Sequence, residues 1–411
     1  MMFMVSPRCR YEAFCHNSGR CIQKGGISTL FYLYCYPGIK WSISDLAKVR
    51  AKFQHERYVW LDQARGVVGL LYMISALTWA NSADLLAGER FLGPPYLDHG
   101  FHYFRGNPPM ITIIDVGQPI FLFFVGFSGY IAFSSRLKKT GVLSAWRYGG
   151  VRIALLYALS AIGKIINDPP GEEHASWAQY FSGFNWYAVL SVDVLAIIAV
   201  GCIGTYVAIT IFRKALHRVV LALGIFIAHA FVYALYWTDR HTAMDYMLGL
   251  PELPVLTFAL MGLSILGSGF GQWVHESRED VGSALRERIV PWSCGCLMVS
   301  FLLEWVQPSE HHDGTMALML LGAGLSGLLI TVLYCMEQVG IVLVTLRALG
   351  RNLLLVFIIG AVLFEIYLDA IPDTWIQNYP LAAMVCIGFI PIFSVVLVTR
   401  VLERYNIVFR V

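Results

Sequence analysis

From Val59 to the C-terminus the chain repeats one pattern, an apolar run followed by a short polar break. Each run is about 20 residues, the length that crosses a bilayer as a helix. The runs fall near 59–80, 112–134, 149–167, 187–212, 217–237, 253–274, 289–306, 315–345, 352–370 and 380–402. A helix that is apolar all round needs lipid or a very large interior around it. Of 411 residues, 57% are hydrophobic and 14% charged, against roughly 25% charged in soluble domains. The expected fold is therefore all-α, a polytopic membrane helix bundle of about ten transmembrane helices. Two runs depart from the pattern. The run 315–345 is overlong and carries Glu337 and Gln338, so it is either one tilted helix reaching into water or two shorter pieces. The run 289–306 is short and holds Glu304.

Residues 1–57 read as an irregular, basic leader, and residues 58–411 as the membrane domain. The stretch Leu30 to Ile39 is apolar but too short to span, and Pro37 and Gly38 interrupt it. No small-residue cleavage site follows, so it does not match a signal peptide. Cys9, Cys15, Cys21 and Cys35 fit no zinc spacing well. A net charge of +3, with no basic run of the DNA-binding kind, gives no reason to expect a nucleic-acid partner.

Lys and Arg concentrate in alternate breaks: Arg136, Lys138, Lys139 and Arg147; Arg213, Lys214 and Arg218; Arg278, Arg286 and Arg288; Arg347 and Arg351; Arg400, Arg404 and Arg410. The intervening breaks carry acids and histidines instead, among them Asp98, His99 and His102, and Glu310, His311, His312 and Asp313. The positive-inside rule assigns the first set to the cytoplasm. Both termini are then cytoplasmic, which requires an even number of spans, and the expected location is the cell's inner (plasma) membrane as a multi-pass protein.

Several residues could carry chemistry. Asp62 and Arg65 are three apart and share a helix face, either as an interfacial ion pair or as an oriented pair facing the bundle interior. The segment His99-Gly100-Phe101-His102 lies in the long outer break 81–111. Either histidine suits a general base, its pKa lying near neutrality, and either could simply sit at headgroup level. Asp115 enters the second helix ahead of Gly117-Gln118-Pro119, and a carboxylate there is costly unless partnered or wet. Asn352 can cap or bond across helices. Glu304, Glu337 and Glu365 lie within or beside apolar runs, where ionisable groups are functional candidates by default. The cluster Glu310-His311-His312-Asp313 has metal-ligand chemistry, but adjacent histidines on a short loop rarely converge on one ion, and no metal is expected. No phosphate-binding Gly-rich loop is present for a nucleotide or nicotinamide mechanism.

Three of these segments carry a family resemblance. Leu61-Asp62-Gln63-Ala64-Arg65-Gly66 resembles the opening Leu-Asp-x-x-Arg-Gly of transmembrane acyltransferases. The stretch from Asp115 to Gly126 is similar to one in the heparan-alpha-glucosaminide N-acetyltransferase family and its bacterial relatives. Gly350-Arg351-Asn352-Leu353 resembles that family's late Gly-x-Asn motif. Order and spacing agree over roughly residues 59–402, the whole membrane domain. The resemblance implies an acyltransferase that passes an acyl group, acetyl in the family, from cytosolic acyl-CoA to a sugar or amino-sugar of an extracytoplasmic glycan. A histidine of the first outer loop is then catalytic. His99 and His102 lie in the corresponding loop, and an ungapped register puts Arg105 at the family's position.

On this reading His102 or His99 is the base and Asp115 its orienting carboxylate. Asp62, Arg65 and Asn352 line the substrate path, and Arg136, Lys138, Lys139 and Arg147 meet the phosphates of acyl-CoA. Plain positive-inside topology explains that basic loop equally. The partners are the bilayer, acyl-CoA as cosubstrate and the glycan acceptor, with a homo-oligomer open. Two other functions stay open: a transporter or flippase for a lipid-linked or acyl compound, which would use the same buried carboxylates as proton or substrate sites, and a non-catalytic membrane subunit of a larger assembly. The topology predicts that cysteines introduced at Asp98 and His311 react with an impermeant thiol reagent from outside and one at Lys138 does not. Labelling of position 138 from outside would overturn the orientation.

Overall fold

In a computed structural model the described residues are 58–82, 115–167, 194–237, 253–307, 309, 314–370, 385–405 and 407–408. Tyr58–Val411 forms one compact unit. Among the described residues all regular structure is helical. The helices are α1 (Val59–Ser82), α2 (Gly117–Thr140), α3 (Val142–Asn167), α4 (Val194–Ile211), α5 (Ala215–Trp237) and α6 (Leu253–Glu276). They continue with α7 (Val281–Ala284), α8 (Val290–Leu303), α9 (Met316–Gln338), α10 (Val344–Arg351), α11 (Leu353–Ala370) and α12 (Ile390–Arg404). A π-helical turn, Leu285–Ile289, joins α7 to α8, and a second, Val385–Phe389, leads into α12. Among the described residues three helices are long and apolar enough to cross a membrane by length and composition: α2, α5 over Ala215–Ala234, and α9; α4 is a shorter apolar helix. Large apolar side chains stand on outward faces, including Phe231, Met298, Phe301, Trp305 and Phe393. In water such a surface would associate; against acyl chains it is matched.

Local sequence sets where several elements stop. Gly141, at φ 82, ends α2 and starts α3 at once, in a conformation that side chains with a Cβ rarely adopt. The basic loop expected over 136–147 therefore does not exist as a loop: Arg136, Lys138 and Lys139 end α2, and Arg147 lies in the second turn of α3. Within the overlong run 315–345 the single helix α9 takes residues 316–338 and ends at Glu337 and Gln338; Gly340 at φ 80 then turns the chain, and an amphipathic α10 begins at Val344. The run 289–306 is a longer rod than expected, beginning at Val281, so Arg286 and Arg288 sit on its π turn and not in a loop. Asp115 precedes α2 in a turn and is not inside the helix.

The centre of the bundle is α2 against α6, with α4, α9, α3 and α1 around α2 and α5 beside α6. Backbones touch there. A Cβ at Gly126 would overlap the carbonyl oxygen of Ser264, and one at Gly267 would overlap that of Phe123. Around these glycines Phe123 meets Phe270 edge-on at 5.1 Å, and Ser264 Oγ donates across the helices to Leu122 O at 3.0 Å. Aromatic area and cross-helix hydrogen bonds of this kind hold helices together where lipid removes the usual hydrophobic gain. A second, smaller core joins Met73 of α1, Leu349 of α10, Val356 of α11 and Val395 of α12.

Contacts fix the relative direction of the helices. Trp60 lies on Phe127 at 5.9 Å, while Leu71 lies beside Gly117, so α1 and α2 run antiparallel. Glu337 at the end of α9 accepts from Trp60 N at 2.8 Å, Arg218 near the start of α5 donates to Phe212 O at 3.0 Å, and Trp146 in α3 donates to Thr210 in α4 at 3.2 Å. The Arg- and Lys-bearing helix ends thus gather at one end of the bundle, called the basic end below. Replacing Gly126 by Ala should lower stability by about 2 kcal/mol, an overpacking cost. Gly224→Ala, where a Cβ meets nothing within 4 Å, should not. Melting of the two purified variants in detergent checks this, and equal melting temperatures would contradict it.

Candidate functional site

The first and last of the resembling motifs, far apart in sequence, meet at the basic end. The α1 segment Asp62–Gly66 lies against α10, and the approach is again backbone to backbone. A Cβ at Gly66 would overlap Leu346 O, and one at Gly350 would overlap Asp62 O. Glycine is the residue type that permits this spacing. The side chain between the two glycine contacts does matching work. Gln63 is fully buried, and its Oε1 accepts from Leu343 N at 2.6 Å, which holds the first turn of α10 against α1. Asp62 and Asn352 are buried at this junction, and Arg65 is partly buried. Asn352 O accepts from Val356 N at 3.0 Å and so starts α11 directly after α10. Glu337 closes the end of the junction on Trp60 N.

Asp115 belongs to another level. Gly117 faces Leu71, and Phe127 faces Trp60, so Asp115 stands on the order of 15 Å further along the bundle than Asp62 at 1.5 Å of rise per residue. It is 3% exposed, an enclosed carboxylate. Near the level of Asp115 lies an aromatic contact of three helices: Phe357 of α11 against Tyr72 of α1 at 4.3 Å and against Phe121 of α2 at 4.9 Å. The structure therefore brings Asp62, Arg65 and Asn352 to one junction and sets Asp115 apart from it. His99 and His102 lie outside the described residues, as do Glu310, His311, His312 and Asp313. Among the described residues no group of three or more His, Cys, Asp or Glu could hold a metal ion.

The other expected site residues fall elsewhere. Arg136, Lys138, Lys139 and Arg147 are exposed on the α2–α3 hairpin, and Arg136 stacks over the Tyr148 ring at 3.5 Å. Arg136 is about 13 Å beyond the level of Trp60, so these residues share the basic end with the junction but not its surroundings. Glu304 has a local role: it terminates α8 and accepts from Ser309 N at 3.0 Å and from Ser309 Oγ. The side chain of Glu365 lies outside the described residues.

One charged group departs furthest from its sequence-based expectation. Arg218, expected as a loop cation at the membrane surface, is fully buried in the first turn of α5. It donates to Phe212 O at 3.0 Å, to Ser268 O at 3.2 Å and to Gln272 Oε1, and its guanidinium lies 4.7 Å from the Tyr130 ring centroid. Gln272 in turn donates to Arg213 O at 3.0 Å and to Glu276 Oε1 at 2.6 Å. Four helices are tied by one guanidinium, which is positioned where the carbonyl end of α4 attracts a cation. The signal was in α6, where Ser264, Ser268, Gln272 and His275 recur at helical spacing in an otherwise apolar run.

No protein-family model matches the chain, and no curated protein matches it significantly. Arg218→Lys should lower stability by about 2 kcal/mol, because an ammonium cannot serve three acceptors in a fork. Arg286→Lys, at a side chain 80% exposed, should be neutral. Chemical denaturation of both variants provides the comparison, and an unperturbed Arg218→Lys protein would contradict the clamp.

Proposed function

We propose that the chain is an integral membrane acyltransferase that moves an acyl group, acetyl in the simplest case, from cytosolic acyl-CoA to a sugar or glycan on the other side of the membrane. The observation that carries this reading is the α1–α10 junction. The two segments that resemble the acyltransferase motifs lie against each other, Gly350 on the backbone of Asp62, and the hydrogen bond from Leu343 N, seven residues before the second motif, to Gln63 holds α10 beside α1. The gathering of Lys- and Arg-bearing helix ends at one end supports ten spans with both termini in the cytoplasm, in the inner (plasma) membrane. Acyl-CoA then approaches the junction from the basic end, with the aromatic contact of Tyr72, Phe121 and Phe357 further along toward Asp115.

The chemistry follows from the groups available. His102 or His99 takes the proton of the acceptor hydroxyl or amine, which attacks the thioester carbonyl. The new C–O or C–N bond forms, the C–S bond breaks, and the coenzyme leaves as a thiolate that receives the proton. General-base assistance is worth roughly 10²–10⁴-fold. Asp115, buried ahead of α2, is the carboxylate that orients the histidine. Purified protein given radiolabelled acetyl-CoA and a glycan acceptor should transfer label. The His99→Ala, His102→Ala double variant should lose transfer while still binding acetyl-CoA, and Asp115→Leu should impair it more than Asp313→Leu. Full turnover by the double variant would remove both histidines from catalysis. Counterflow of a lipid-linked compound in liposomes lacking acyl-CoA, with no transfer, would replace the reading with a transporter.

A further inference from the structure

We infer that the arginine cluster where α10 meets α12 is a binding site for a phosphate-bearing anion, which, on the acyl-CoA reading proposed above, is the phosphorylated nucleotide end of the coenzyme. Three guanidiniums converge on one carboxylate. Arg347 Nε donates to Glu403 Oε1 at 2.7 Å, Arg351 reaches the same oxygen at 3.5 Å, and Arg400 lies 3.7 Å from Oε2. The side chains of Arg347 and Arg351 are only 19% and 14% exposed, and that of Glu403 8%. One carboxylate offsets one cation, so this cluster holds a surplus of positive charge in a half-buried place where water screens it poorly.

A merely structural α10–α12 tie needs no such surplus. The Arg347–Glu403 pair alone would join the helices, and each further guanidinium adds like-charge repulsion. A phosphate supplies what is missing, because its oxygens accept from guanidinium forks in paired, charge-assisted bonds. Arg351 Nε is enclosed and has no hydrogen-bond partner, as is true of Arg218 Nε, but Arg351 has two further guanidiniums beside it. The cluster is also in the right place. Arg351 lies between Gly350, whose backbone touches Asp62, and Asn352, so an anion held there is anchored at the motif junction itself. The α2–α3 hairpin lacks these features, its cations being exposed and Arg136 already stacked on Tyr148.

The test uses the full chain in phosphatidylcholine nanodiscs, with acetyl-CoA as the titrated probe, and a parallel set containing phosphatidylglycerol whose retention is read by native mass spectrometry. Arg400→Gln, at the most exposed of the three side chains (43%), should weaken acetyl-CoA binding about tenfold without lowering the melting temperature. Glu403→Gln should tighten it, since it removes the competing carboxylate; a purely structural role would move both variants the same way. Arg400→Gln carries the test alone if Glu403→Gln does not fold. Phosphatidylglycerol retention that follows this pattern, with no acetyl-CoA binding in any form, would support the anion site with a lipid headgroup as its source and remove the acyl-CoA reading. Equal acetyl-CoA binding by wild type and both variants would overturn the inference and leave the acyl-CoA reading standing. Neither probe bound by any form would overturn both.

Discussion

Helices surrounded by lipid gain little from apolar contact as such, because acyl chains offer a side chain the same surroundings as a neighbouring helix. What remains is close packing and polar contact, and both depend on how near two backbones can come. In this chain the decisive approaches are made at glycines. Gly126 and Gly267 let α2 and α6 meet at their carbonyls, and Gly66 and Gly350 do the same for α1 and α10. The α2–α6 contact organises the large core, since α4, α9, α3 and α1 are all laid against α2. The α1–α10 contact organises the smaller one and, with it, the junction of motifs. Without these approaches the cross-helix hydrogen bonds from Ser264 and Gln63 would not reach their acceptor and donor.

Charge is arranged on the same frame. Arg218 lies inside the bundle, where its two terminal nitrogens donate to carbonyls and an amide and its plane faces an aromatic ring, while its Nε has no hydrogen-bond partner. Glu403 lies under three arginines, and Glu337 is turned onto the backbone of Trp60. Burying ions is expensive, and each of these has identifiable partners that offset the cost. The distribution separates two kinds of cation at the basic end: Arg218 is consumed by structure, whereas Arg347, Arg351 and Arg400 exceed what their shared carboxylate can neutralise. That difference, and not proximity to the membrane surface, is why the second group is assigned a ligand.

Helix placement was legible because apolar length is a direct physical requirement. The run 253–274 became α6, Leu253–Glu276, and 217–237 became α5, Ala215–Trp237. Boundaries failed where a backbone conformation outweighed composition. Gly141 and Gly340 turn the chain at positive φ, which no hydropathy pattern registers, and so a basic loop became two helix ends and the overlong run stopped as a helix at Gln338. In the site, Asp62, Arg65, Gly66, Gly350 and Asn352 were identifiable from motif order, and Asp115 from the cost of a carboxylate beside an apolar helix. Gln63 was passed over because a single amide in a motif carries no period and no charge. Arg218 was misplaced because a cation three residues into a helix looks the same in sequence whether it faces water or the bundle. The phosphate-binding role expected for Arg136, Lys138, Lys139 and Arg147 rests on local charge density, which does not distinguish exposed lysines from guanidiniums confined around a carboxylate.

The central claim is that acyl-CoA is held at the α1–α10 junction. A cryo-EM density map of the full chain with acetyl-CoA tests it most directly. The account predicts density for the nucleotide phosphates against Arg347, Arg351 and Arg400, with the acyl arm passing Asp62 and Asn352 toward the level of Asp115. Density for the coenzyme on the α2–α3 hairpin beside Lys138 and Lys139, or a map with saturating acetyl-CoA and no coenzyme at the junction, would contradict it.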